Sequence, residues 1–394
     1  MRLLHTSDWH IGRNLNLFDL SDAQTQFINH IIDVVKGEKI DAVLISGDIY
    51  DRALPSLDAI ACFEYALKEL SALTKVIVTS GNHDGARRLG FASSLLEGAN
   101  IYIKTRIEDI DTPVLLSDEK KTIAIYGIPY LEPFTSSSKL ITNPEEAKKI
   151  ERSHQGVLSL AIDRINTDRK KTKHDHAVIM SHAWFTGGET DGSEIDISVG
   201  GIGNAPTSLL NGFDYAALGH IHRPQIIEDH IRYSGSALHY SFKGAKSKRL
   251  TYIVDFSGPK PVTTEVFSPV YRELTELEDS MDNFLRLDKY AKHEDHFLKI
   301  KLTDKPAPLQ PMAQLRARFP WVVYLTSLTG TGEMPKWEEI RDKSDFDICC
   351  DFLDDVRGAS PNEWEIEQLR FAIDKSVRGL VGDESIELEN ADSG

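Results

Sequence analysis

Five short apolar stretches within the first 222 residues each end abruptly in a side chain that can bind a metal ion. The stretches are RLLHTSDWH, AVLISGD, VIVTSGNHD, AVIMSH and YAALGHIH. A short apolar run bounded by turn residues predicts a buried strand. One such ending is weak support for a site, because polar residues at a strand end are usually solvated. Five similar endings in one chain constrain the fold much more strongly.

Helical patterns separate these strands. Apolar residues recur at helical spacing between Ser21 and Lys36, after Pro55, and between Glu145 and Ile165. Strands that alternate with helices indicate a layered α/β or α+β domain. In open α/β sheets, sites are built at the carboxyl ends of the strands. We therefore expect the five strands to share one sheet, so that their terminal side chains converge.

The pattern changes in the second half of the chain. The stretches 231–242 and 249–256 have no helix between them, which predicts neighbouring antiparallel strands. After residue 268 a small β/α pattern follows that contains no cluster of catalytic type. A linker around 330–339 precedes two helices, the second opened by a capping box from Ser360 to Glu363. We predict domains at 1–268 and 269–334, a linker with two helices at 335–378, and a disordered tail at 379–394.

Composition narrows the class of protein. The chain has 45 basic and 61 acidic residues, for a formal net charge of −16. This charge argues against a protein that binds nucleic acid unaided, but not against an enzyme that meets phosphate through bound cations. No apolar stretch approaches the ~20 residues that cross a bilayer, and the three cysteines suggest no disulfide framework. We expect a cytoplasmic protein without a membrane segment.

The residue types at the strand ends favour metal chemistry. A mixture of carboxylate, imidazole and amide oxygen suits manganese, iron or zinc better than magnesium or calcium. The candidates are too many for one ion, and a pair of ions can clamp the attacking and leaving oxygens at phosphorus, with Asp48 as the natural bridge. Singly, most have simpler explanations as helix caps, turn formers or structural histidines; jointly, those explanations are improbable. The candidates are Asp8, His10, Asp48, Asn82, His83, Asp84, His182, His220 and His222.

The order DWH, GD, GNHD, SH and GHIH resembles the signature of the calcineurin-like metallophosphoesterase superfamily. GDIYDRALPS, SGNHDGARRLGFAS and FDYAALGHIHRPQ further resemble the bacterial SbcD nuclease family, and this resemblance covers nearly the whole chain. Asp51 stands where archaeal and eukaryotic relatives carry histidine, which favours the bacterial branch. Ala237 replaces a common proline, and we expect activity to survive that difference. The resemblance implies a layered β-sandwich core flanked by helices, a small β/α capping domain and C-terminal helices.

The resemblance also implies a role for each site residue. It assigns Asp8, His10, Asp48 and His222 to one metal ion, and Asp48, Asn82, His182 and His220 to the other. His83 is not a ligand in this scheme but faces the scissile phosphate, as a positioner or proton donor. The implied metal is manganese, two Mn²⁺ per chain, with Mg²⁺ as a poorer substitute.

The implied activity is that of a DNA nuclease subunit. Such proteins degrade double-stranded ends as ATP-dependent 3′–5′ exonucleases and open hairpins or cut single strands as endonucleases, in DNA repair, recombination and replication. ATP is used by the partner SbcC, an SMC-type ATPase that binds the C-terminal helices. The family nuclease is a homodimer within a heterotetramer, and the apolar stripes Phe27–Val35 and Ile60–Leu70 are candidate dimer surfaces that must mostly cover the sheet.

Two other functions stay open. The chain could be a two-metal phosphoesterase for nucleotides or other small phosphodiesters, although the capping unit and C-terminal helices argue against this. It could instead be a scaffold with a decayed site, but none of the expected ligands is missing.

Three other segments have open interpretations. Arg87 and Arg88 follow GNHD and could touch flanking phosphates or could be a solvated helix start. The glycine-rich, acidic loop 187–201 lacks the lysine and spacing of a Walker loop, so we expect a flexible rim near the site. The basic cluster 243–249 has no interleaved aromatic residues, which favours a solvated hairpin over an edge that contacts phosphate.

Overall fold

Strands alternate with helices along the first half of the chain, as the sequence pattern predicts. The computed structural model describes residues 1–140, 153–194, 203–327, 344–357 and 359–373. It divides into two units, Met1–Glu273 and Leu274–Gly394. The predicted linker at 330–339, the predicted tail at 379–394, the beginning of the predicted helix at 145–165 and the end of the loop 187–201 lie outside the described residues.

The first unit contains fourteen described strands and six described helices. The strands are β1 (Arg2–Thr6), β2 (Ala42–Ser46), β3 (Lys75–Thr79), β4 (Ile101–Lys104), β5 (Val114–Ser117), β6 (Thr122–Ile128), β7 (His176–His182), β8 (Trp184–Phe185), β9 (Asn204–Ala205), β10 (Tyr215–Gly219), β11 (Gln225–Glu228), β12 (Ile231–Tyr233), β13 (Leu250–Asp255) and β14 (Val262–Phe267). The helices are α1 (Ser21–Glu38), α2 (Leu57–Ser71), α3 (Ala86–Leu89), α4 (Ser93–Leu96), α5 (Pro133–Leu140) and α6 (His154–Arg169).

Twelve of these strands form two six-stranded sheets. The first sheet has the order β14-β13-β1-β2-β3-β4 and the second the order β11-β12-β10-β7-β6-β5. A shared core joins them, in which Leu44 and Ile77 of the first sheet cluster with Val178 and Met180 of the second. The predicted layered α/β fold is therefore confirmed.

The prediction that the five ligand-bearing strands share one sheet is wrong. β1, β2 and β3 belong to the first sheet, whereas β7 and β10 belong to the second. Sheets packed face to face lie only about 10 Å apart, so side chains from both can still meet at a common edge. Each stretch predicts a strand correctly, but a buried strand looks the same in either sheet.

The predicted pairing of the two later strands is also wrong. β12 pairs with β10 and β11 in the second sheet, whereas β13 pairs with β1 and β14 in the first. The segment between them therefore crosses from one sheet to the other. Adjacency along the chain did not decide adjacency in space.

Apolar stripes hold the first two helices. Phe27, Ile31 and Val35 of α1 are fully buried, as are Phe63 and Leu70 of α2. Each such side chain contributes about 1.5–3 kcal/mol relative to an exposed one. Ser56 caps α2, since its hydroxyl accepts a hydrogen bond from the Ala59 N–H at 3.2 Å. Most of the two proposed dimer stripes thus packs inside the chain's own unit.

The second unit repeats the β/α pattern on a smaller scale. Its parallel strands β15 (Leu274–Asp279), β16 (Phe297–Leu302) and β17 (Val322–Ser327) form one sheet. Its next helices are α7 (Met281–Arg286) and α8 (Pro311–Arg316), separated by a 3₁₀ helix at Asp288–His293. Its core contains Met281, Phe284, Tyr290, Leu298, Ile300, Leu302, Leu315, Phe319 and Val322.

Two helices close the described chain, α9 (Asp345–Arg357) and α10 (363–373). The predicted capping box at Ser360 and Glu363 is wrong. α10 is capped instead by Asn362, whose Oδ1 accepts the Glu365 N–H at 3.0 Å while Glu365 Oε2 accepts the Asn362 N–H at 2.9 Å. The same reciprocal geometry lies two residues further on, because asparagine is as good a cap as serine. Among the described helices, none combines the length and apolarity that crossing a membrane requires.

Candidate metal centre

The predicted site residues follow the carboxyl ends of five parallel strands. Asp8 and His10 follow β1, Asp48 follows β2, Asn82 and His83 follow β3, His182 ends β7, and His220 and His222 follow β10. The loops after β1 and β2 continue the strand pairing, since the Asp8 N–H donates to Gly47 O at 3.1 Å and the His10 N–H to Asp48 O at 3.0 Å. Main-chain hydrogen bonds between these two loops therefore fix the positions of Asp8, His10 and Asp48.

One buried cluster contains Asp8, His10, Asp48 and His222, whose ligand atoms all lie within 4.8 Å of one another. His10 Nε2 is 2.9 Å from His222 Nε2 and 3.5 Å from Asp48 Oδ2. His222 Nε2 is 4.0 Å from Asp8 Oδ1. These are the four residues that the family resemblance assigns to one ion.

A second group adjoins the first through Asp48. Asp48 Oδ2 is 3.3 Å from His182 Nε2, and that nitrogen is 3.0 Å from Asn82 Oδ1. His220 Nδ1 is 3.2 Å from the same Asn82 oxygen. Asp48 Oδ2 thus lies between an imidazole of each group, which is where a bridging ligand must lie.

The chemistry of these donors fits two divalent cations. Burial lowers the pKa of His10 and of His222 well below the usual range, and lowers the pKa of His220 to about 3, so these rings are neutral. Neutral imidazole nitrogens and carboxylate oxygens are ligands of Mn, Fe or Zn. His10 and His222 turn ring nitrogens toward each other, and His10 Nδ1 is buried without a hydrogen-bond partner in the described chain. Such an arrangement suits a cation better than an internal hydrogen-bond network.

The carboxylates and His182 form a strongly coupled buried group. Burial would raise the pKa of Asp48, but His182, His10 and His83 together outweigh it and hold that pKa well below its usual range. Burial likewise opposes protonation of His182, but Asp48 and then Asp8 raise its pKa to about 9. Burial raises the pKa of Asp8 to about 8, opposed by His182 and reinforced by Asp48. Three buried ionisable groups that shift one another's pKa values indicate a functional site. The raised pKa of Asp8 shows that added positive charge would stabilise its carboxylate.

Backbone strain is concentrated at the same residues. Asp8, His10 and Asp48 have φ values of 52°, 45° and 50°, and His220 has 97°. A left-handed conformation costs a non-glycine residue about 1–2 kcal/mol, and such strain collects at functional sites. Two glycines make room for the donors. A Cβ at Gly81 would clash with Asp48, and one at Gly219 would clash with the Ser46 carbonyl oxygen.

His83 lies at the rim of the cluster. Its Nδ1 is 2.7 Å from the Asp51 carbonyl oxygen, which accepts a hydrogen bond from that nitrogen and leaves Nε2 as the free ring atom. Nε2 lies 3.9 Å from Asp48 Oδ2, and the His83 N–H donates to Asp48 Oδ1 at 2.9 Å. Asp51 therefore fixes His83 through its main chain, which a histidine at that position would also provide.

Asp84 supports the loops instead of joining the donors. Its carboxylate accepts the N–H groups of Ile49 at 3.1 Å, Tyr50 at 3.0 Å and Gly81 at 2.9 Å. It thus ties the loop after β2 to the loop after β3. The simpler explanation of Asp84 as a turn former agrees with these hydrogen bonds. In the sequence, its position directly after GNH was the only indication of that role.

Sequence reasoning missed a set of residues around His222. Asp191, Ser193 and Glu194 of the loop 187–201 lie against it, and Glu194 Oε1 accepts the His222 N–H at 2.9 Å. Arg249, expected in a solvated hairpin, is buried and pairs with Asp191 at 3.3 Å. That expectation agrees only with the exposed lysines of the cluster, Lys243, Lys246 and Lys248. No sequence signal distinguished the buried arginine from its neighbours.

Comparison with known proteins identifies a family for the first part of the chain. The model of the calcineurin-like phosphoesterase family matches residues 1–224. Among solved structures, an archaeal phosphodiesterase is similar at 15% identity and a TM-score of 0.29, over 68% of this chain and 100% of that one. A dimetal phosphatase from Danio rerio is similar at 14% identity and a TM-score of 0.37, over 67% of this chain and 98% of that one.

Proposed function

We propose, from the premise that this chain belongs to the calcineurin-like phosphoesterase family, that it is a two-metal phosphodiesterase whose substrate is DNA. The observation that carries the proposal is the convergence of seven donor side chains from two sheets on one buried spot, with Asp48 Oδ2 between two imidazoles at 3.5 and 3.3 Å. The seven are Asp8, His10, Asp48, Asn82, His182, His220 and His222.

The side chains of this site suggest the division of labour. Two divalent cations, when bound, supply the charge that lowers the pKa of an attacking water and offsets charge at phosphorus. Asp8, His10, Asp48 and His222 hold one, and Asp48, Asn82, His182 and His220 hold the other. His83, held by the Asp51 carbonyl, turns Nε2 toward the cluster, and as an imidazolium it would carry on that atom a proton that can bond the phosphate or pass to the leaving oxygen. We propose Mn²⁺ as the working metal and Mg²⁺ as a poorer substitute.

Two cavities lined by cations support a polyanionic substrate. One of about 520 Å³ is lined by Arg87, Arg106 and Lys139 together with two glutamates, and its first lining residue comes three residues after His83 in the sequence. Another of about 440 Å³ is lined by Arg223, Lys243 and Lys246, and Arg223 is the neighbour of His222. In a chain of net charge −16, arginines and lysines gathered in two cavities favour a substrate with several phosphates. A small phosphodiester would need neither cavity.

Arg88 has a different role from Arg87. Its Nη1 donates to the Ala53 carbonyl oxygen at 3.1 Å, which joins the segment after GNHD to the loop before α2. Arg87 instead lines the larger cavity. Of the two arginines, we propose only Arg87 as a phosphate contact.

The C-terminal helices support the proposed partner, the SMC-type ATPase SbcC. The two helices contact each other through Arg357 and Glu365 at 2.6 Å and through Arg370 over the Phe346 ring. Their half-buried apolar residues are Phe346, Cys349, Leu353, Ile366, Leu369 and Ile373. The opposite positions expose large apolar side chains, since Phe352, Trp364 and Phe371 are 64%, 67% and 66% exposed. Exposed aromatic residues of this size are typical of a docking surface.

Exposed apolar residues also support the proposed homodimer within a heterotetramer. Most of the Phe27–Val35 and Ile60–Leu70 stripes is buried, but Leu54, Leu57 and Ile60 at the start of α2 are exposed. We propose that dimer contacts use this surface. In such an assembly the chain would act on DNA ends, hairpins and single strands in repair, recombination and replication, with ATP used by SbcC.

The decisive experiment is a cleavage assay with Mn²⁺ on blunt, hairpin and single-stranded DNA, with and without SbcC and ATP. We expect hairpin and single-strand cutting, and ATP-dependent degradation of blunt ends from the 3′ strand. A parallel assay uses bis-p-nitrophenyl phosphate as a small phosphodiester. Hydrolysis of that compound together with failure on every DNA, even with SbcC, would favour a small-molecule phosphoesterase.

A further inference from the structure

A series of side-chain hydrogen bonds leads from the donor cluster into the loop that contains Asp191 and Ser193. His222 Nδ1 is 2.6 Å from Ser193 Oγ, and that oxygen is 2.5 Å from Asp191 Oδ1. Asp191 Oδ2 in turn pairs with Arg249 Nη2 at 3.3 Å, and Arg249 Nη1 donates to the His222 carbonyl oxygen. The contacts therefore form a closed circuit that begins and ends at His222.

Three members of the circuit are shielded from water, and the fourth, Ser193, is half-buried. The side chains of Asp191, Arg249 and His222 are 4%, 3% and 1% exposed. A buried carboxylate and guanidinium hold each other in one geometry, because separating them would leave a buried charge without a partner. The Asp191 carboxylate is thus a fixed acceptor at this end of the circuit.

The order of donors follows from that acceptor. An Asp191 carboxylate facing a guanidinium only accepts, so the Ser193 O–H donates to Oδ1. The Ser193 oxygen then accepts from His222 Nδ1–H, which places the imidazole proton on Nδ1. Nε2 is left with its lone pair, and Nε2 is the atom 2.9 Å from His10 Nε2 and 4.0 Å from Asp8 Oδ1. Only this tautomer can bind a metal ion through Nε2.

His182 offers an internal contrast. Its Nδ1 lies 2.9 Å from the main-chain oxygen of Ser46, which accepts the Nδ1–H and leaves Nε2 facing Asp48 whatever side chain stands at position 46. The tautomer of His222 depends instead on a hydroxyl and a carboxylate. The two metal positions therefore differ in how their histidines are held.

We propose that Ser193 and Asp191 are positioning residues that set the tautomer and orientation of His222, and thereby the affinity of the metal position formed by Asp8, His10, Asp48 and His222. The inference rests on the metal centre of the proposed function and not on its DNA substrate. Partners of this kind typically change metal affinity about 10–100-fold.

The test is a calorimetric titration of the full chain with Mn²⁺. The wild type should bind two ions per chain. Ser193→Ala should weaken one of the two binding steps about 10–100-fold and leave the other within about twofold. Ser193→Thr keeps the hydroxyl and should restore most of the affinity. Ser247→Ala is the matched control, because its hydroxyl donates to the nearby Gly244 carbonyl without touching His222.

A second readout reports the tautomer directly. In ¹H–¹⁵N long-range correlation spectra of the metal-free wild type, His222 should show the Nδ1–H form, and Ser193→Ala should shift it toward a mixture. Wild-type affinity at both steps in Ser193→Ala, or an equal loss in Ser247→Ala, would overturn the inference. Two bound ions without DNA cleavage would remove the proposed substrate and leave this inference standing, whereas a wild type that binds no Mn²⁺ would remove both.

Discussion

Two carboxylates at equivalent places in the two units have opposite surroundings. Asp48 follows parallel strand β2 and Asp279 ends parallel strand β15. Asp279 is satisfied by nearby donors of its own unit, since Asn283 Nδ2 and Tyr290 Oη donate to it at 2.6 and 2.5 Å. Asp48 is fully buried among His10, His182 and His83, at 3.3–3.9 Å.

This difference shows when a carboxylate at the end of a strand belongs to a metal site. Hydrogen bonds from Asn283 and Tyr290 hold the pKa of Asp279 below its usual range, so its charge is already stabilised by its own loop. The pKa of Asp48 is also held below its usual range, but by imidazoles that come from other strands and are themselves candidate metal ligands. A carboxylate at the end of a parallel strand therefore marks a metal site where the groups that stabilise its charge are themselves possible ligands from distant parts of the sequence.

The largest expected effect comes from the shared oxygen. Asp48→Asn should abolish DNA cleavage and weaken both Mn²⁺ binding steps, by more than the ~10²-fold typical of losing a partner outside the ligand set. Asp279→Asn is the matched control and should cleave DNA at the wild-type rate. Elemental analysis and the cleavage assay measure both. If the Asp48→Asn protein kept two tightly bound ions, the distinction between Asp48 and Asp279 would be wrong.

His83 should separate binding from reaction. His83→Ala should slow cleavage about 10²- to 10⁴-fold, as expected for loss of a proton-transfer or phosphate-positioning group. Its metal content should stay at two ions per chain, because the ring lies at the rim and meets the donor His10 only by an edge-on ring contact, without a hydrogen bond. Loss of metal together with activity would instead make His83 a ligand.

The cavity cations should affect DNA but not the centre itself. Arg87→Ala with Lys139→Ala should weaken DNA binding and reduce the slope of log affinity against log salt by about 1–2, since each phosphate contact contributes roughly 1. Hydrolysis of bis-p-nitrophenyl phosphate should not change. Arg286→Ala, which removes an exposed cation paired with Asp282 in the second unit, is the control. An unchanged salt slope would show that the cavity does not hold phosphate.

The smallest effect belongs to the self-satisfied carboxylate. Asp279→Asn should lower the free energy of unfolding by about 1 kcal/mol, because it weakens charge-assisted hydrogen bonds that are partly open to water. The native pKa lies below the ordinary value of 3.8, so the stabilisation is present above that value and is lost as the pH falls through the native pKa. The difference in the free energy of unfolding between the wild type and Asp279→Asn should therefore decrease below about pH 4. Denaturant titrations at pH 7 and pH 3 measure it.

Local signals predicted the strands and the donors. Each donor lies within four residues of a strand end, so a buried apolar run followed by Asp, Asn or His was enough to find it. The division of donors between two ions came from the family resemblance, and it stays a prediction that the observed proximities support. Longer-range features were less accessible. The capping residue of α10 was misplaced, because Ser360 and Asn362 have similar capping chemistry and only the helix start distinguishes them.

The sequence by itself determined which side chains are available and that each stands where a buried strand ends, because both follow from periodicity and turn chemistry within about ten neighbouring residues. Only the tertiary structure decided that these ends come from two facing sheets, and that Arg249 is buried against Asp191. The reason is physical. An apolar strand satisfies its burial equally well in either sheet, and a loop hydroxyl or carboxylate finds its partner only after distant segments have packed. The hydrogen bond between Ser193 and His222 is likewise visible only in the tertiary structure.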